Sequence, residues 1–164
     1  MVLRSDTYYR RLAHDALQQM GEVEPPVPIE RLAEAYGIPV REVPMPTFFH
    51  GAAINEDGLP VIIINADRDE YVRRSTLAHM IGHILIVLAD PEYTYPRNTK
   101  LEHQEADIIA EELMTPAELV IDQAQKWFND HRYLARLFGV SEREMMDRMR
   151  ELGIIKAQGI MWDY

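Results

Sequence analysis

Hydrophobic and polar positions along the chain follow two periods, and the switch between them divides it into helices and strands. Over residues 6–20, Leu12, Ala13, Ala16, Leu17 and Met20 recur at helical spacing, which predicts an amphipathic helix. The stretch GEVEPPVP (21–28) is a rigid proline-rich connector, and IERLAEAYG (29–37) is a short helix closed by Gly37. Residues 39–43, 50–54 and 60–65 then read as strands, with NEDG (55–58) as a turn, so 39–65 predicts a small antiparallel sheet or meander. A long helix is expected from about Asp67 to Leu88, capped by Asn65 or Asp67, with Asp69 and Glu70 suited to its first turn. After the polar loop 90–99, a helix over 101–114 carries Leu101, Ile108, Ile109 and Leu113. Thr115 fits the cap of the next helix, with Pro116 at its first position and Glu118 as capping-box partner. Two short helices follow over 131–138 and 142–152, the second with the capping box Ser141 and Glu144. No repeat or low-complexity segment interrupts the pattern. The fold class is α+β: a small sheet packed on a long helix, then a helical C-terminal part.

Composition changes this picture little. A chain of 164 residues with 47% apolar and 27% charged positions suits a globular domain with a real core. The net charge of −10 makes it a poor general binder of nucleic acid unless one face is locally basic. The absence of cysteine excludes disulfides and thiolate metal sites. The first residues, MVLRSDTYYRRLAHDA, lack the apolar core of a signal peptide, and the longest apolar run, 84–89, is too short to span a bilayer. A cytoplasmic location and no membrane partner are expected.

Candidate chemistry sits in STLAHMIGHILI, residues 75–86. His79 and His83 are four apart, so on a helix both imidazoles share a face and can reach one ion. Two histidines satisfied by hydrogen bonds at a core edge would leave the same pattern. Zinc peptidase helices read H-E-x-x-H, with the Glu as general base, and here that slot is Met80. A catalytic zinc commonly has three protein ligands and one open position. The following helix offers Glu102, His103 and Glu105, which spacing alone does not separate, and carboxylates are favoured at a helix start in any case. Gly82, inside the helix, costs about 1 kcal/mol against Ala. Close approach of the sheet, or of a bound peptide, would account for it; drift at a tolerant site is the alternative.

From about residue 26 to 116 the chain resembles the ImmA/IrrE family of zinc metallopeptidases. The matching stretches are PPVPIERLAEAYGI, GLPVIIIN, RRSTLAHMIGHIL and EADIIAEELMTP. Arg73 or Arg74, Ala78, His79, Gly82, His83 and Leu85 fit the first motif. Glu105, Ala106, Ala110, Leu113, Met114 and Pro116 fit the second, with Thr115 inserted. The resemblance implies a zincin-like fold with His79, His83 and Glu105 in the positions of the three ligands of a Zn²⁺ ion. It implies a metallo-endopeptidase acting on a protein substrate, typically a helix-turn-helix repressor. The departure is Met80: a thioether carries no titratable proton, and general acid–base catalysis is worth about 10²–10⁴-fold. Hydrolysis is therefore expected to be weak or absent. Met80 marks a natural pseudoenzyme, an engineered substitution, or a site where Glu102, Glu111 or Glu112 reaches the water instead. As a soft ligand it would suit Cu(I), but it does not share the face of His79 and His83.

The segment YLARLFGVSEREMMDRMRELGI (133–154) has the outline of a helix-turn-helix. Over 131–156 its basic residues (Arg132, Arg136, Arg143, Arg148, Arg150, Lys156) outnumber Glu142, Glu144, Asp147 and Glu151 by only two. A recognition helix presents Arg, Lys, Asn or Gln near its start, whereas this one opens SEREMM. A structural helical cap is the favoured reading. The expected organisation is a metallopeptidase domain over 1–128 and a helical extension over 129–164. Two alternatives remain to the peptidase reading: a pseudoprotease that binds a regulatory partner without cleaving it, and a transcriptional regulator using the C-terminal helices. A substrate strand is expected to add to the sheet edge near 60–65.

Overall fold

The computed structural model describes residues 4–46, 48–90, 92 and 99–156. Its elements run α1 (Asp6–Gln18), α2 (Ile29–Ala35), β1 (Val40–Val43), β2 (Gly51–Glu56), β3 (Leu59–Asn65), α3 (Glu70–Ala89), α4 (Lys100–Met114), α5 (Ala117–Lys126), α6 (His131–Phe138) and α7 (Glu142–Glu151). The fold is α+β, as the periodicity predicts. The polar loop expected at 90–99 falls mostly outside the described residues. The chain forms two compact units, residues 1–114 and 115–164.

In the first unit the hairpin β2–β3 closes through Asp57 and Gly58, both at positive φ, with Asn55 Oδ1 accepting from the Gly58 N–H at 2.7 Å. Two consecutive left-handed residues make the turn whose twist matches paired strands, and Asp-Gly is its favoured sequence. The sheet is nevertheless mixed, in the order β1-β3-β2, with β1 parallel and β2 antiparallel to β3. The meander reading fails at β1, because the chain turns back into β2 one place away and β3 fills the position between them. The side chain of Asn65, fully buried, holds the β1–β2 connection in place. Its Oδ1 accepts from the Met45 N–H at 3.1 Å, and its Nδ2 donates to the carbonyls of Pro46 at 3.0 Å and Phe49 at 2.7 Å. Asn65 therefore secures a loop, and the cap of α3 is Asp69, which accepts from the Val72 N–H. The strand over 60–65 is the central one, so it offers no free edge, and the edges are β1 and β2.

Helix α3 packs on this sheet: a Cβ on Gly51 would lie 3.0 Å from Thr76 Cγ2, and Ile62 and Ile64 are buried. The buried Arg74 donates to the Val27 carbonyl at 2.6 Å and ties α3 to the proline-rich connector. Arg10 on α1 pairs with Glu111 on α4 at 2.9 Å. Thr99, just before α4, accepts from the Glu102 N–H through its Oγ1 at 3.1 Å.

The second unit builds its own core from Val120, Ala124, Leu134, Ala135, Phe138, Met145 and Met149. Here Pro116 is the residue before α5 rather than its first residue, one position later than the capping-box reading of Thr115. Ser141 does cap α7, accepting from the Glu144 N–H, and Asp130 caps α6. The guanidinium of Arg148, 2% exposed, donates to the Thr115 carbonyl at 3.0 Å. Among the described residues no helix is long and apolar enough to cross a membrane.

Candidate metal centre

The crossing of α3 and α4 positions the site. A Cβ on Gly82 would sit 2.7 Å from the Ala106 carbonyl oxygen and 3.2 Å from its Cα. Only glycine permits so close an approach of the two backbones. The close neighbour is thus α4, not the sheet. Ala106 is itself fully buried, so the crossing has a small residue on each side.

This crossing brings His103, three residues before Ala106, over the two histidines of α3. The Nε2 atoms of His79 and His83 are 3.0 Å apart, and His103 Nδ1 lies 3.2 Å from the first and 3.1 Å from the second. The rings of His79 and His103 stack, with planes 9° apart. Bonds of 2.0–2.1 Å in tetrahedral geometry separate zinc ligands by roughly 3.3 Å, so the three nitrogens are spaced like one face of such a site.

Two carboxylates from α4 complete the arrangement. Asp107 Oδ1 is 2.7 Å from His79 Nδ1, and Glu102 Oε2 is 3.0 Å from His83 Nδ1. An ionised carboxylate only accepts, so each Nδ1 is the protonated nitrogen of its ring. With their protons on Nδ1, the neutral rings of His79 and His83 bring two Nε2 lone pairs within 3.0 Å of one another, beside His103 Nδ1. Converging acceptors of this kind are relieved by a cation, and the donor set fits a divalent metal ion.

His79 and His83 meet as the spacing predicts; the third member of the cluster is His103. Glu105 is buried on α4, two residues on and about 200° round the helix, away from the converging nitrogens. Met80 is half-buried on α3, about 100° round from His79, and is not part of the cluster. Asp107 went unnoticed in the sequence. The available signal was that His103 and Asp107 are themselves four apart, repeating the spacing of His79 and His83.

Burial lowers the His83 pKa below its ordinary 6.5; the neighbouring His79 adds to this, and Glu102 opposes it. The unfolded chain therefore takes up a proton that folded His83 resists. For the metal-free protein this cost is absent above about pH 6.5 and grows as pH falls from there through the lowered folded value. Urea midpoints measured in chelator from pH 7.5 to 5 are expected to fall more steeply for the native sequence than for His83→Gln. Equal slopes would refute the assignment.

Fold and site together fit a metallopeptidase-like α+β domain with a three-histidine cluster that could hold a metal ion. A family model described as the IrrE N-terminal-like domain, Peptidase_M78, matches residues 33–150, and the chain belongs to that family. The family is metal-dependent, and the cluster of His79, His83 and His103 can hold the ion. A similar solved structure is a Mycobacterium tuberculosis transcriptional regulator, with a TM-score of 0.60 and 17% identity over 88% of this chain. The match covers 46% of that regulator, so this chain spans a little under half its length. No curated protein matches at a significant level.

Proposed function

We propose that this protein binds one Zn²⁺ ion through His79, His83 and His103 and engages a protein partner on a peptidase scaffold, with hydrolysis weak or absent. The convergence of three imidazole nitrogens within 3.2 Å carries the reading. Three imidazoles without a carboxylate suit zinc, copper, nickel or iron better than magnesium, calcium or manganese. A bound zinc ion supplies Lewis acidity to a carbonyl or a water. At the position where the motif has its Glu stands Met80, and a thioether neither takes nor gives a proton.

A protein substrate or partner, such as a helix-turn-helix repressor, remains the proposed class, in keeping with the family and with the regulator of similar fold. The edges of β1 and β2 are where an added strand would pair. Direct nucleic-acid binding is the weaker reading, because the first turn of α7 carries Glu142 and Glu144.

Elemental analysis tests the proposal first: one zinc per chain is expected in protein purified without chelator or reloaded with zinc. Metal-free protein after reloading would overturn it. With a partner protein in hand, Met80→Glu is expected to raise cleavage by about 10²–10⁴-fold over the native chain. An unchanged rate would show that the missing carboxylate is not what limits hydrolysis.

A further inference from the structure

We propose that Asp107 and Glu102 are positioning residues of the metal centre, each fixing which nitrogen of an α3 imidazole faces the ion. The inference rests on the metal-binding reading above and extends it to residues that do not touch the metal. A free neutral imidazole carries its proton on either nitrogen, and only the unprotonated one binds a metal. Asp107 at 2.7 Å and Glu102 at 3.0 Å hold the protons of His79 and His83 on Nδ1, which leaves both Nε2 atoms as donors. His103 is turned the other way and offers Nδ1. The donor set is therefore two Nε2 atoms and one Nδ1.

Charge supports the same assignment. Three neutral imidazoles add nothing to the charge of a dication, and the Glu102 carboxylate beside His83 supplies a nearby negative group. Glu102 is 1% exposed and lies 3.0 Å from His83 Nδ1, so this pair is held inside the packed helices. All the groups involved lie on two helices. α3 supplies two rings, and the first two turns of α4 supply the third ring and both carboxylates. Outer partners of this kind typically change metal affinity by about 10–100-fold when removed.

Asp107 gives the cleaner test, because its side chain is 70% exposed and its loss leaves no hole in the core. Affinities for Zn²⁺ and Co²⁺ are measured by chelator competition in the native chain, Asp107→Ala and Asp107→Asn, alongside the visible spectrum of the Co²⁺ forms and melting of the metal-free proteins. Asp107→Ala is expected to lose about 10–100-fold in affinity and to shift the Co²⁺ bands. Asp107→Asn, whose amide oxygen still accepts from Nδ1–H, is expected to recover most of the affinity, with metal-free melting equal in all three. Native affinity in Asp107→Ala, or Asp107→Asn as weak as Asp107→Ala, would overturn the positioning role while leaving the metal site standing. A native chain that takes up neither ion would overturn the metal-centre reading itself and this inference with it.

Discussion

Replacing His103 by Ala is expected to cost the protein its bound metal, whereas Glu105→Gln is expected to keep it. The first substitution removes one of three nitrogens that meet within 3.2 Å, and the second changes a residue outside that cluster. Structural zinc sites with four ligands are worth about 10–16 kcal/mol in all, so one ligand accounts for about 3 kcal/mol, or on the order of a hundredfold in affinity. Equilibrium dialysis against a chelator of known affinity reads the difference directly. The Glu105→Gln exchange preserves shape at a buried position, so both variants can be compared as folded proteins. If Glu105→Gln lost the metal and His103→Ala retained it, α4 would present to α3 the face opposite to the one that carries His103.

The second large effect is expected at Gly82. An alanine in the middle of a helix normally gains about 1 kcal/mol over glycine. At this position the added methyl meets the Ala106 backbone at 2.7 Å, and a backbone carbonyl in a packed helix has no rotamer to escape into. Overpacking of this kind costs about 1–3 kcal/mol, so the balance favours destabilisation. The helices must also separate to admit the methyl. His103 is less than one turn from the contact, so the nitrogen it contributes should move away from the other two. Gly82→Ala is therefore expected to lower both the urea midpoint and the metal affinity, and the loss of affinity should exceed that of a distant variant of equal stability. A Gly82→Ala protein as stable and as tight a binder as the native chain would show that the crossing is looser than the contact distances imply.

These two predictions separate what can be read locally from what cannot. The sequence alone determined the features whose causes lie within a turn or two of chain. The helical spacing of His79 and His83 put both rings on one face. Asp57-Gly58 specified the hairpin, and Ser141 specified the start of α7. The motif residues around His79 and Glu105 were also enough to point to the family, because short patterns survive when overall identity does not. Fold class followed from the same local periods.

What only the tertiary structure decided depends on contacts between segments far apart in the chain. Spacing could not choose among Glu102, His103 and Glu105, because the choice depends on how far α4 is rotated about its own axis, and one residue changes that by about 100°. With Gly82 and Ala106 in close approach, the rotation of α4 brings His103 and Asp107 to the histidines of α3, and Glu105 is outside that cluster. Glu102 lay in the same candidate set but serves as the partner of His83. The parallel pairing of β1 with β3 was equally hidden, since it is a contact between segments about twenty residues apart, with the buried Asn65 side chain bonded to the loop that leaves β1. Local sequence fixes which groups are available and which face of a helix they share. Long-range packing fixes the rotation of one helix against another, and at this site that rotation selects which α4 side chain joins His79 and His83.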